Sequence, residues 1–121
     1  MFQGGYANEG GAIYIIGDAA LSISSSMFIR NTGEIRGGAI MAESFGSLNI
    51  SEGCIFDHNT AINDTGDTIY ASTSSKFISI SNSFFQQTKA SQFLYINYVT
   101  QVSINTSILA LSSSYYHNVK K

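Results

Sequence analysis

Apolar and polar residues alternate with a period of two in four short segments. These are Leu21-Ser22-Ile23-Ser24, Leu48-Asn49-Ile50-Ser51, Ile78-Ser79-Ile80-Ser81 and Val102-Ser103-Ile104-Asn105. That period predicts strands with one buried and one wet face. Between them lie stretches rich in Gly, Ser, Asn and Asp, which is turn chemistry. Ile, Ser, Thr, Asn, Phe and Tyr dominate the chain, while the strong helix formers Ala, Leu, Glu and Lys are sparse. The expected class is all-β.

The alternating segments begin at residues 21, 48, 78 and 102, spaced by 27, 30 and 24. Ile13, Ile40, Ile69 and Leu94 keep the same phase at spacings of 27, 29 and 25. So do Phe28, Phe56, Phe85 and Leu109, at 28, 29 and 24. A recurring period in this range signals a solenoid, propeller or array. A propeller blade needs roughly 40–45 residues, which is too long. Leucine-rich repeats need several Leu per unit, and these units carry Ile, Ser and Phe with no helical segment. A parallel β-helix remains, with one repeat per coil and coils about 4.8 Å apart, so that equivalent side chains form ladders.

The expected layout is a single β-helix segment of about four coils: 10–36, 37–65, 66–90 and 91–115. A partial coil covers 1–9, because Phe2 falls 26 residues before Phe28, and a polar tail covers 116–121. The expected interior ladders are Ile13/Ile40/Ile69/Leu94, Leu21/Leu48/Ile78/Val102, Ile23/Ile50/Ile80/Ile104 and Phe28/Phe56/Phe85/Leu109. No single coil can bury such residues alone, so stability is expected from contacts between coils. Neither end carries a convincing capping unit. The expectation is therefore a fragment of a longer solenoid, or a piece that stacks end to end with further coils.

Composition narrows the class. Of 121 residues, 19 are Ser, 8 Thr and 9 Asn, with 16 Ile, no Pro and 14 charged residues. A hydrophobic fraction of 44% is too high for a disordered chain. The longest apolar run, residues 12–16, falls far short of the roughly 20 residues of a membrane-spanning helix. No signal peptide is legible. A net charge of −2 with six basic residues argues against nucleic acid as a partner.

The first two units read Gly10-Gly11-Ala12-Ile13 … Phe28-Ile29-Arg30-Asn31 and Gly37-Gly38-Ala39-Ile40 … Phe56-Asp57-His58-Asn59. Paired GGAI and FxxN tetrapeptides in a Ser- and Asn-rich background resemble the chlamydial polymorphic outer membrane protein repeat. That repeat belongs to the pectin-lyase-like group of right-handed parallel β-helices. The resemblance covers residues 10–59 and fades afterwards, where Gly66-Asp67-Thr68-Ile69 and Ser91-Gln92-Phe93-Leu94 replace GGAI. It implies a surface-exposed adhesive or structural segment, extracellular or on the cell surface, with a protein or glycan partner. Physically, Gly-Gly permits the positive φ of a sharp corner. Asn31 and Asn59, just after a strand, can cap turn backbone or stack on the next coil's Asn.

Polysaccharide-cleaving β-helices need clustered carboxylates with an Arg or Lys. The acids Glu9, Asp18, Glu34, Glu43, Glu52, Asp57, Asp64 and Asp67 mostly fall in different phases, so no catalytic residues, metal ligands or cofactor are assigned. Asp57-His58 and the Asp64/Asp67 pair are the nearest approaches. Cys54 shares a phase with Ser26, Ser83 and Ser107, has no partner in the chain, and reads as a small buried filler. His58 and His117 read as turn and tail residues.

Two outward ladders are the candidate binding features. Tyr14, Met41, Tyr70 and Tyr95 share one phase opposite the Ile13 ladder. Exposed, they form an aromatic stripe able to stack on sugar rings or a partner protein; covered, they are ordinary packing. Ser22/Asn49/Ser79/Ser103 run beside Ser24/Ser51/Ser81/Asn105, a hydroxyl-bearing face. Ice-binding solenoids favour regular Thr ladders and even coils, which are lacking here. Asn49-Ile50-Ser51, Asn63-Asp64-Thr65 and Asn105-Thr106-Ser107 fit the N-glycosylation pattern, and matter in a secreted eukaryotic protein. The expected function is a non-catalytic structural or adhesive module. The alternative is a carbohydrate-binding or polysaccharide-cleaving β-helix.

Overall fold

In a computed structural model of the chain, residues 1–62, 68–72, 75–87, 94–105, 108–111 and 115–119 are described. Side chains within that set are described at 1–62, 68–71, 76–86, 95–96 and 101–104. β1 (Phe2–Gln3) precedes the first full turn, which contains β2 (Tyr6–Glu9), β3 (Ile13–Ile16), β4 (Ala20–Ser24) and β5 (Met27–Ile29). The second continues through β6 (Thr32–Arg36), β7 (Ile40–Glu43), β8 (Ser47–Ser51) and β9 (Ile55–Asp57). The third holds β10 (Thr60–Ala61), β11 (Ile69–Ser72), β12 (Ser75–Ser81) and β13 (Phe84–Gln87). β14 (Leu94–Asn105), β15 (Ile108–Leu111) and β16 (Tyr115–Val119) follow.

Every pairing is parallel and joins equivalent strands of successive turns. One stack runs β1-β5-β9-β13-β15, a second β10-β6-β2, and a third sheet joins the β3 and β4 columns through the long β14. Phe2 faces Phe28, Phe28 faces Phe56, and Phe56 faces Phe85, which is three turns of solenoid; Phe85 facing Leu109 adds a layer. The chain is an all-β parallel solenoid. The other ladders keep the expected register: Ile13/Ile40/Ile69/Leu94, Leu21/Leu48/Ile78/Val102 and Ile23/Ile50/Ile80/Ile104. The polar tail contributes to the same sheet. Its residues 116–119 belong to β16, and Leu94 pairs with Tyr115 as one more rung of the ladder. Polar composition did not prevent pairing because backbone groups, not side chains, make the ladder bonds.

The core is a column of identical contacts. Ile40, Leu48, Ile50, Phe56, Ile69, Ile78, Ile80 and Phe85 are all buried. The rings of Phe2, Phe28, Phe56 and Phe85 stack at 4.6–4.7 Å with interplanar angles of 3–6°. Each such pair adds about 0.5–1.5 kcal/mol beyond area burial. Beside them runs a ladder of carboxamides. Asn31 donates through Nδ2 to the Phe2 carbonyl (2.9 Å) and to Asn59 Oδ1 (3.1 Å), and its Oδ1 accepts from the Gly5 amide (2.9 Å). Asn59 Oδ1 also accepts from the Asn31 amide (3.0 Å), and its Nδ2 donates to the Phe28 carbonyl (2.9 Å). Both Asn are buried, so each stitches a turn to its neighbour where no water can substitute.

The corners explain the tetrapeptides. Gly10 and Gly37 take φ of 65° and 66°, the left-handed region that costs a Cβ-bearing residue energy. At Gly11 the reason is space, since a Cβ would strike the Gly38 carbonyl and the Thr32 backbone. Other corners use residues with side chains in the same region. Arg30 and His58 occupy one phase, while Ser25, Glu52 and Asn82 occupy another.

Candidate functional site

The expected aromatic ladder forms in register: Tyr14 pairs with Met41, Met41 with Tyr70, and Tyr70 with Tyr95. Its exposure is uneven. Tyr14 is 43% exposed, whereas Met41 and Tyr70 retain only 1% and 9%. A continuous exposed stripe is therefore not what this face presents. Alternation turned Met41 and Tyr70 away from the central core, but other elements cover them there. The corners at Gly10 and Gly37 close on Met41. The guanidinium of Arg36, at the end of β6, lies 5.0 Å from the centre of the Tyr70 ring. Tyr70 and Tyr95 then stack at 4.6 Å.

Arg36 spans three turns. Its Nε lies 2.9 Å from Glu9 Oε1 on the preceding turn, an ionic approach that lacks hydrogen-bond alignment. Its Nη1 donates to the Tyr70 hydroxyl on the following turn, at a long 3.4 Å. Burial disfavours the guanidinium charge. The Tyr70 hydroxyl and Glu9 carboxylate more than offset this, so its pKa is raised. The Tyr14 hydroxyl donates to Glu43 Oε2 at 2.9 Å, and this bond, with burial and the Glu43 charge, raises its pKa. Arg36, Glu9 and Glu43 lie outside the apolar phases that define the ladders. The available signal was the 27-residue separation of Glu9 and Arg36, one coil period, with opposite charges.

The remaining candidates are dispersed. Lys76 Nζ lies 2.9 Å from Asp18 Oδ1 in an exposed pair, and Asp57 pairs with His58 Nδ1. Among the described residues, no three His, Cys, Asp or Glu converge as metal ligands would. Cys54 is buried, with its thiol directed at the Ser51 (3.2 Å) and Ile23 (3.6 Å) carbonyls. Asp64, Asp67 and Asn63 lie outside the described residues, as do the side chains of Asn105 and His117. Asn49 is half-buried on the outward face of β8.

That outward face carries a concavity. A groove of about 480 Å³ is lined by Ala20, Leu21, Ser22, Ser47, Asn49, Phe77 and Ser79. Ser22, Asn49 and Ser79 are the hydroxyl-bearing ladder expected from the alternation, in register across β4, β8 and β12. Phe77 pairs with Ser47 at the neighbouring outward position. Among the described residues, no helix is long and apolar enough to cross a membrane.

Fold and surface together define a class, the parallel β-solenoid with ladder-built outer faces. No family model, curated protein or solved structure matches the chain.

Proposed function

We propose that the chain is a non-catalytic structural or adhesive module of a surface-exposed protein, built like the repeats of the polymorphic outer membrane proteins and wound as a right-handed, pectin-lyase-like β-helix. The observation that carries this reading is the inter-turn stitching at the FxxN positions, by Phe2, Phe28, Phe56 and Phe85 and by Asn31 with Asn59. It commits the Asn31 and Asn59 carboxamides to holding turns together. The acids support the same reading. Glu9, Asp18, Glu43 and Asp57 each engage a partner within the protein.

The test is surface presentation in cells of the source organism. An antibody raised against residues 1–121 should label intact cells, and external protease should remove the signal. Labelling that requires permeabilisation would overturn the surface assignment. Release of reducing ends from polysaccharide by the purified chain would favour the enzymatic alternative instead.

A further inference from the structure

We propose that the groove over β4, β8 and β12 binds a neutral, hydroxyl-rich glycan chain. Its polar groups are unused. Three turn hydroxyls are engaged: Ser25 donates to the Glu52 carbonyl, Ser26 to the Ser24 carbonyl and Ser83 to the Ser81 carbonyl. Among the described residues, the side chains of Ser22, Ser47, Asn49 and Ser79 make no such bond within the protein. The carboxamide of Asn49 is half-buried in the groove floor and offers two donors and an acceptor.

The lining selects the ligand class. It contains no charged side chain. Lys76 and Asp18, next in sequence to the groove region, satisfy each other. An anionic polymer finds no cation there, and an apolar segment would leave Asn49 and three hydroxyls without partners. A glycan chain supplies donors and acceptors at each residue, together with the apolar C–H face of a sugar ring. Phe77 provides the aromatic surface for that face, as amphipathic ligands require. The rungs repeat at about 4.8 Å along the solenoid axis, so a polymer lying along it meets a polar side chain, Ser22, Asn49 or Ser79, on each rung in succession. Concavity, and interruption of the hydroxyls by Asn49 and Phe77, make the face unlike a flat ice-binding array. The site is independent of the module reading, and the surface-labelling test and the following one fail separately.

The experiment is calorimetric titration of the full chain with neutral hexasaccharides of β-1,4-glucan, β-1,3-glucan, xylan and mannan, with oligogalacturonate and a heparin hexasaccharide as anionic comparisons. At least one neutral ligand should bind. Asn49→Ala should weaken it about fivefold, the loss of one neutral hydrogen bond. Phe77→Ala should weaken it about tenfold. Ser22→Arg, at an exposed position, should block binding, while Tyr14→Phe on the neighbouring outer face should leave it unchanged. Where Phe77→Ala lowers the melting temperature, Phe77→Leu removes the ring while nearly keeping the volume and is read in the same way. No neutral ligand binding at about 10 mM, a limit that corresponds to negligible affinity, would overturn the proposal. So would tighter binding of either anionic ligand, or binding indifferent to Asn49 and Phe77.

Discussion

Asn59 shows how much one residue does in a solenoid. Its carboxamide serves three groups on the preceding turn: the Asn31 amide, the Asn31 side chain and the Phe28 carbonyl. All lie where water cannot replace it. Asn59→Ala should therefore cost about 2–4 kcal/mol, the penalty for stranding buried donors and acceptors. Urea denaturation checks this, and a loss below about 1 kcal/mol would contradict the stitching role. Asn59→Asp should do no better, since it removes the donor to Phe28 and buries a charge. This role was legible in the sequence, because a polar residue fixed just after a strand at the coil period has a narrow set of uses. The covering of Met41 and Tyr70 was not. Strand alternation assigns a side chain to a face but says nothing of what lies over that face. Here Arg36 and the corners at Gly10 and Gly37 lie over it.

Among elements, the strands hold register strictly and the turns absorb variation. The alternating segments start 27, 30 and 24 residues apart, yet Leu21, Leu48, Ile78 and Val102 still fall opposite one another. Extra residues therefore belong in the turns, where loop closure depends weakly on length. A one-residue insertion after Asn49, inside β8, reverses the facing of every later residue in that strand. It should abolish cooperative unfolding, or cost more than about 4 kcal/mol, as loss of several core side chains does. The same insertion after Gly17, an exposed turn residue with open space around it, should stay within about 1 kcal/mol. Circular dichroism melts of the two variants decide. β5, β9 and β13 were the less legible strands. Met27, Ile55 and Phe84 stack in register on the outward side of the Phe ladder, so apolar residues occupy both faces and alternation gives no direction. The coil period, carried by Phe28, Phe56 and Phe85, placed them instead.

At the scale of the molecule, the fold is a sum of neighbouring turns, each contacting the next through the same ladders. Burial follows from that. Ile40 and Leu48, in the second turn, are fully buried, while Ile13 and Leu21, in the first, are only partly so. The solenoid class was readable because three independent markers shared one period. The outer-face chemistry was only partly readable, because the groove depends on Phe77 and Ser47 lying side by side across two turns. The central claim is that residues one coil apart lie side by side on parallel strands, and a pair of engineered disulfides tests it most directly. In a Cys54→Ser background, Ser24→Cys with Ser51→Cys places thiols on register partners about 4.8 Å apart. Ser22→Cys with Ser51→Cys moves one of them a full pleat along the strand, to about 8 Å, beyond disulfide reach. Under mild oxidation, free-thiol titration should show the first pair closing and the second remaining reduced. Closure of both pairs alike, or of the second alone, would contradict the in-register parallel solenoid.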